Sequence, residues 1–167
     1  SGGYYIACGA DSIFADEFTI TGSIGVIGGK LAACDLLDRI GVDVETVSPY
    51  PMADMFSIFS RYSDDQRENV EEAVGHSYEL FTQRVADGRG MTRAQVDSIG
   101  RGRVWSGSDA VDTGLVDRIG GLADAVRCAA GMAGLGGDWV PVVEVYPRPG
   151  MFEGLSLSPF EIGRAHV

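Results

Sequence analysis

The chain has 167 residues, 45% of them apolar, which suits one domain with a buried core. A formal charge of −11 excludes a nucleic-acid surface, which needs a basic stripe, and of thirteen basic residues only Lys30 is a lysine. No apolar run approaches the ~20 residues that cross a bilayer.

Ser1-Gly2-Gly3 followed by an apolar run suits a hydroxyl at the start of a helix, where unpaired N–H groups favour a developing anion. Ser12 to Ala15 is a short apolar run that reads as a buried strand. Thr19 to Gly28 reads as a β-rich run broken at Gly22 and Gly25, with Ser23 on a turn and Ile24 to Ile27 as a further strand. Leu31 to Ile40 has helical spacing closed by Gly41, and Asp43 to Val47 alternates as a strand. This strand, helix, strand order predicts an α/β fold with parallel pairing and right-handed crossovers.

Ser48 to Arg61 is apolar but aperiodic and reads as a loop, with Met52, Met55, Phe56, Ile58 and Phe59 free to flank a groove, pack on a neighbour or cover the core. Ser63 and Gln66 form a capping box that opens a long helix. Its stripe of Val70, Val74, Ser77, Phe81 and Val85 puts His76 on the opposite face. A second box, Thr92 and Gln95, opens a helix to Ile99; Arg103 to Trp105 reads as a strand, and Ser108 to Thr113 as a helix stopped by Gly114. Gly121 leads into a last helix through Ala133 with Leu122, Val126 and Ala129 inward, and Trp139 to Tyr146 reads as a final strand ended by Pro147.

One domain is thus expected over residues 1–146, with an irregular segment over 147–160. Residues 161–167 resemble translated adapter DNA and read as a non-native tail containing His166. The chain also begins in mid-motif without a methionine, so a reading frame truncated at both ends is expected. Cys8, Cys34 and Cys128 lack metal-ligand spacing and read as small buried residues, and neither a metal nor a cofactor is expected.

Several stretches, in order, carry a family resemblance. They are Ser1-Gly2-Gly3-Tyr4-Tyr5-Ile6-Ala7, Ala10-Asp11-Ser12-Ile13-Phe14-Ala15, and Thr19-Ile20-Thr21-Gly22-Ser23-Ile24-Gly25-Val26. Further on come Gly88-Arg89-Gly90-Met91-Thr92, Gly102-Arg103-Val104-Trp105-Ser106-Gly107, Ala110, and Gly114-Leu115-Val116-Asp117-Arg118-Ile119-Gly120. Together they resemble the signal peptide peptidase A (protease IV) family over most of the chain, to about Ala130. The resemblance implies the β-α superhelix of the crotonase and Clp-protease superfamily.

A serine nucleophile needs a base, and the residues leave three open: His76 in a triad, the amine of Ser1, or a lysine kept neutral by desolvation. The resemblance implies the third, a serine and lysine dyad that works through an acyl-enzyme. Ser1 matches its nucleophile, Ser23 matches the serine that orients the lysine, and the N–H of Gly2 is expected to contribute to the oxyanion hole. Where short members carry the lysine, this chain reads Pro51-Met52-Ala53-Asp54, and Lys30 lies outside every family motif, as an exposed residue at a helix start. The pattern fits the C-terminal half of a long member, whose N-terminal half supplies the lysine.

The implied function is therefore a serine endopeptidase that degrades cleaved signal peptides. Its expected partners are peptide substrates, the lysine-bearing half and further copies of itself, at the periplasmic face of a bacterial inner membrane and anchored through upstream sequence. The alternatives are a non-catalytic crotonase-like half for assembly or peptide binding, and an acyl-coenzyme A enzyme of the same superfamily.

Overall fold

A computed structural model describes residues 1–135 as a mixed α/β structure. The elements in order are α1 (Gly2–Ala7), β1 (Phe14–Ala15), β2 (Thr21–Gly22), α2 (Cys34–Arg39) and α3 (Asp64–Arg89). They continue with α4 (Arg93–Ile99), β3 (Val104–Trp105), α5 (Gly107–Asp112), β4 (Arg118–Ile119) and α6 (Leu122–Met132). The sequence-based strand at Trp139 to Tyr146 and the segments 147–160 and 161–167, with His166, lie outside the described residues.

Both capping boxes form. The Ser63 hydroxyl accepts from the N–H of Gln66, whose side chain accepts from the N–H of Ser63, and Thr92 and Gln95 repeat the exchange. Each box satisfies two orphan donors at a helix start, so these boundaries are set locally. At ~1.5 Å per residue, the 26 residues of α3 span about 39 Å, and α3 is the spine against which α1 and α4 pack. Tyr5 meets Phe81 edge to face at 5.2 Å, and the buried core gathers Tyr4, Ile24, Phe81, Val85, Val96 and Leu115 around the lower half of α3.

Two glycines in the family-like motifs are fixed by contact. A Cβ on Gly88 would fall 2.0 Å from the carbonyl oxygen of Cys8, and one on Gly107 would fall 1.9 Å from that of Asp16. α3 therefore touches the end of α1 through backbone, and α5 touches the loop after β1 in the same way.

Strand pairing is parallel at one place and antiparallel at another. β1 and β4 run parallel, with Phe14 beside Arg118, whereas β2 and β3 run antiparallel, with Thr21 beside Trp105. The expected parallel pairing is thus present between β1 and β4, and the antiparallel β2 and β3 pair, reached through left-handed Arg101 and Gly102, is additional to it. β4, absent from the sequence-based elements, is tied to β1 through Asp117, which Arg89 holds in place. The Arg89 guanidinium grips Asp117 through two hydrogen bonds of 2.9 and 2.6 Å, and the same carboxylate accepts from the N–H of Ile13 at 2.7 Å. Hydrogen bonding from Arg89 chiefly holds the Asp117 carboxyl below the usual carboxylate range.

Five further expectations change. Asp43 to Val47 joins no strand ladder among the described residues and is exposed throughout, because alternation supplies a face but not a partner. Ile24 to Ile27 is extended without a ladder, and the helix expected from Leu31 begins only at Cys34. Lys30 accordingly lies in coil ahead of α2, half-buried, and not at a helix start. In α6, Leu122 is 74% exposed and Ala129 is exposed, while Ala130 is buried and Val126 half-buried. Its apolar stripe is rotated away from the expected face.

Candidate active site

Ser1 is exposed at the N-cap of α1, and its hydroxyl makes no capping hydrogen bond. An N-cap serine ordinarily spends its oxygen on the second or third N–H of the helix. Here the oxygen remains available, and the first-turn N–H of Gly2 has no intrahelical acceptor. Open space surrounds Gly2 and Gly3, where an added Cβ would meet nothing within 4 Å. A substrate backbone can therefore approach this turn closely.

Ser23 is brought to Ser1 by the backbone. The Ser1 nitrogen donates to the carbonyl of Gly22 at 2.6 Å, and that carbonyl belongs to the peptide unit joining Gly22 to Ser23. The expected turn between two strand segments is replaced by a kink: β2 ends at Gly22, residues 24–27 join no ladder, and half-buried Ser23 follows Gly22 directly. Its backbone is left-handed, with φ of 50°, a conformation in which a non-glycine residue crowds its own Cβ. Two long-range hydrogen bonds impose it: Ser23 N–H donates to Arg103 O, and Gly102 N–H donates to Ile24 O, both at 2.8 Å. Sequence reasoning missed the hold exerted by residues 101–103. The signal was Gly102 in a short segment between a helix and a strand, which marks a turn but not the strand it returns to.

An apolar cavity of about 230 Å³ opens between the residues that follow Ser23, the 48–61 loop and α3, with neither Ser1 nor Ser23 in its lining. Val26 and Gly28 line it from one side, Met55 and Phe56 from the 48–61 loop, and Val70 and Val74 from α3. Val26 is three residues from Ser23, so their Cα atoms lie no more than about 11 Å apart. The loop is fastened there by Gln66, which is buried and donates to Pro51 O at 3.2 Å and to Asp54 Oδ1 at 2.8 Å.

Of the three candidate bases within the chain, the Ser1 amine is engaged as a donor to Gly22 O, and the other two stand differently. His76 is exposed on α3, as the stripe implied. The Lys30 ammonium lies 4.6 Å from the centre of the Tyr62 ring and donates to Ser60 Oγ at 3.5 Å, contacts that do not include Ser1. Cys8 is buried as expected, Cys34 and Cys128 are half-buried, and all three are free thiols. Among the described residues no cluster of histidine, cysteine, aspartate and glutamate could hold a metal, and no helix is long and apolar enough to cross a membrane.

Residues 1–136 match the model of peptidase family S49. The chain is 37% identical over 130 residues to "Serine protease SPPA, chloroplastic" of Arabidopsis thaliana, covering 77% of this chain and 19% of that protein. It is 40% identical over 135 residues to "Protease 4" of Salmonella typhi, covering 81% and 22%. It is also 40% identical over 129 residues to "Protease 4" of Haemophilus influenzae, covering 77% and 21%. The chain thus spans about a fifth of the length of each of these relatives. With the family match running unbroken from Ser1 across both serine-bearing turns, the chain belongs to peptidase family S49.

Proposed function

We propose that this chain is the serine-bearing part of an S49 endopeptidase that acts through a serine and lysine dyad, with the lysine supplied by a related half. The observation that carries the reading is the uncapped Ser1 hydroxyl held beside the Ser23 turn through the 2.6 Å hydrogen bond to Gly22. In this reading Ser1 Oγ attacks the scissile carbonyl carbon while its proton moves to a neutral lysine amine oriented by the Ser23 hydroxyl. The Gly2 N–H helps hold the oxyanion. Collapse breaks the C–N bond, the lysine returns the proton to the departing amine, and water then repeats the sequence on the acyl-serine to release a carboxylate.

The apolar cavity that begins at Val26, three residues beyond Ser23, supports substrates with apolar side chains, of which cleaved signal peptides are the proposed class. Exposed Leu31, Leu36, Ile40 and Phe56, with Ile27 wholly exposed, support packing against the lysine-bearing half and further copies of the chain. The proposed fold of the assembled enzyme is the crotonase and Clp-like superhelix, and its proposed location is the outer face of a bacterial inner membrane, anchored through sequence outside this chain. The exposed apolar residues would serve a purely assembling half equally well, and that second reading predicts no dependence on Ser1.

Ser1→Ala in the full-length protein is expected to abolish hydrolysis of a fluorogenic peptide and labelling by a serine-directed acylating inhibitor. Its melting temperature should stay near that of the parent, because a small exposed hydroxyl contributes little to packing. Retained labelling would remove Ser1 from the mechanism.

A further inference from the structure

Ser23 and Arg101 are the two non-glycine residues with left-handed backbone among those described, at φ of 50° and 58°. They sit on opposite sides of one pairing, since Ser23 N–H donates to Arg103 O and Gly102 N–H donates to Ile24 O. Such conformations persist only where the surroundings impose them, so whatever fixes Arg101 also bears on Ser23. Tyr78 of α3 is the side chain in that position. Its hydroxyl accepts from the N–H of Arg101 at 3.2 Å and donates to Asp97 Oδ1 at 2.8 Å, while Arg101 Nε donates to Asp97 Oδ2 at 3.1 Å. Gly100 makes room for this meeting: a Cβ there would lie 3.2 Å from the Tyr78 oxygen and 3.3 Å from the carbonyl oxygen of Ile24. The phenolic oxygen of α3 therefore joins α4, through Asp97, to the turn that pairs with the Ser23 segment, through Arg101.

We infer that Tyr78 is a positioning residue for peptide hydrolysis, holding the 101–103 turn through Arg101 and Asp97 and thereby fixing the direction of the Ser23 hydroxyl. The inference rests on the reading of Ser1 and Ser23 as catalytic partners. It adds a residue one layer behind them, on the long helix. A tyrosine that only fastened α4 to α3 would affect turnover independently of Ser23.

The experiment is a double-substitution cycle in the full-length enzyme, with kcat, KM and the rate of inhibitor acylation as readouts. Tyr78→Phe keeps the ring and removes both hydrogen bonds of the hydroxyl. Its kcat and its acylation rate are each expected to fall by about tenfold, with KM changed by less than about twofold, as for an interaction needed mainly in the transition state. In a Ser23→Ala background the same substitution should change kcat by less than about twofold, because the group through which it acts is gone. An equal fall in both backgrounds, or a parental kcat in Tyr78→Phe, would overturn the inference. Should Tyr78→Phe fail to fold, Asp97→Asn, which leaves the Tyr78 ring packed, enters the same cycle with the same expected pattern and the same overturning result. Ser1→Ala run alongside separates the two levels. Activity retained there sinks the catalytic reading itself, whereas its loss together with an additive cycle sinks only the role of Tyr78.

Discussion

On the proposed mechanism Ser23 combines two demands that pull apart, a hydroxyl for chemistry and a backbone conformation that favours glycine. Holding a non-glycine residue at a φ of 50° costs on the order of 1 to 2 kcal/mol, and the rungs to residues 102 and 103 offset that cost. Ser23→Gly is therefore expected to raise stability by up to about 1 kcal/mol while lowering kcat by ~10 to 10³-fold, since the backbone relaxes as the hydroxyl is lost. Denaturant unfolding and steady-state kinetics on the same preparation measure both, and a less stable variant with parental turnover would contradict the assignment. Ser1, Gly2 and Ser23 were nominated by the motifs they sit in, and the end of β2 at Gly22 was legible through its glycine. The left-handed geometry of Ser23 was not, because φ at Ser23 is set by a segment far along the chain, and spacing around one residue carries no information about that partner.

Elements fared differently according to how local their causes are. α3 and α4 begin where their capping boxes place them, and α5 ends before left-handed Gly114, because each signal acts within four residues. The two-residue strands are the opposite case. β4 exists because Asp117 is gripped by Arg89 and by the N–H of Ile13 beside it, and nothing in the residues Arg118 and Ile119 themselves announces that contact. Asp43 to Val47 has the better strand pattern and pairs with nothing among the described residues. α6 shows the same limit, since its helical period was readable but its rotation is decided by what packs on it, leaving Leu122 exposed. Where a motif glycine marks a crossing of backbones, the consequence is testable. Gly107→Ala must displace the carbonyl of Asp16, with which its Cβ would overlap at 1.9 Å, so a loss of about 1 to 3 kcal/mol is expected in urea unfolding. Unchanged stability would show that α5 and the loop after β1 can separate freely.

At the scale of the molecule, one ion pair and one missing base set the behaviour. Asp117 titrates below its unfolded range chiefly because Arg89 hydrogen-bonds it, so its stabilising contribution is complete above ~pH 3.9 and is lost as the pH falls through the lower folded value. Thermal melts between about pH 5 and 2 should show this loss, and Arg89→Met should make the acid dependence shallower; an identical profile would deny the pair a role. The base leads to the last prediction, that a polypeptide of these 167 residues folds at least in part but does not hydrolyse peptides. Partial folding follows from the core around α3, although exposed Ile27, Leu31 and Phe56 invite association. Inactivity follows because an unassisted serine hydroxyl is a weak nucleophile, the Ser1 amine is engaged by Gly22 O, His76 is exposed on α3, and the single lysine, Lys30, is engaged by Tyr62 and Ser60. Without a neutral lysine amine within ~3 Å of Ser1 Oγ, acylation forgoes a general-base contribution of ~10² to 10⁴-fold. Adding the lysine-bearing half should restore turnover, with a basic pH optimum, because only the deprotonated amine accepts the serine proton and its activity rises as the pH climbs through the lysine pKa. A fluorogenic peptide assay on this polypeptide, on the mixture and on Lys30→Ala decides the matter. Turnover by this polypeptide alone that vanishes in Lys30→Ala would make Lys30 the base and require the 30–62 region to close on Ser1.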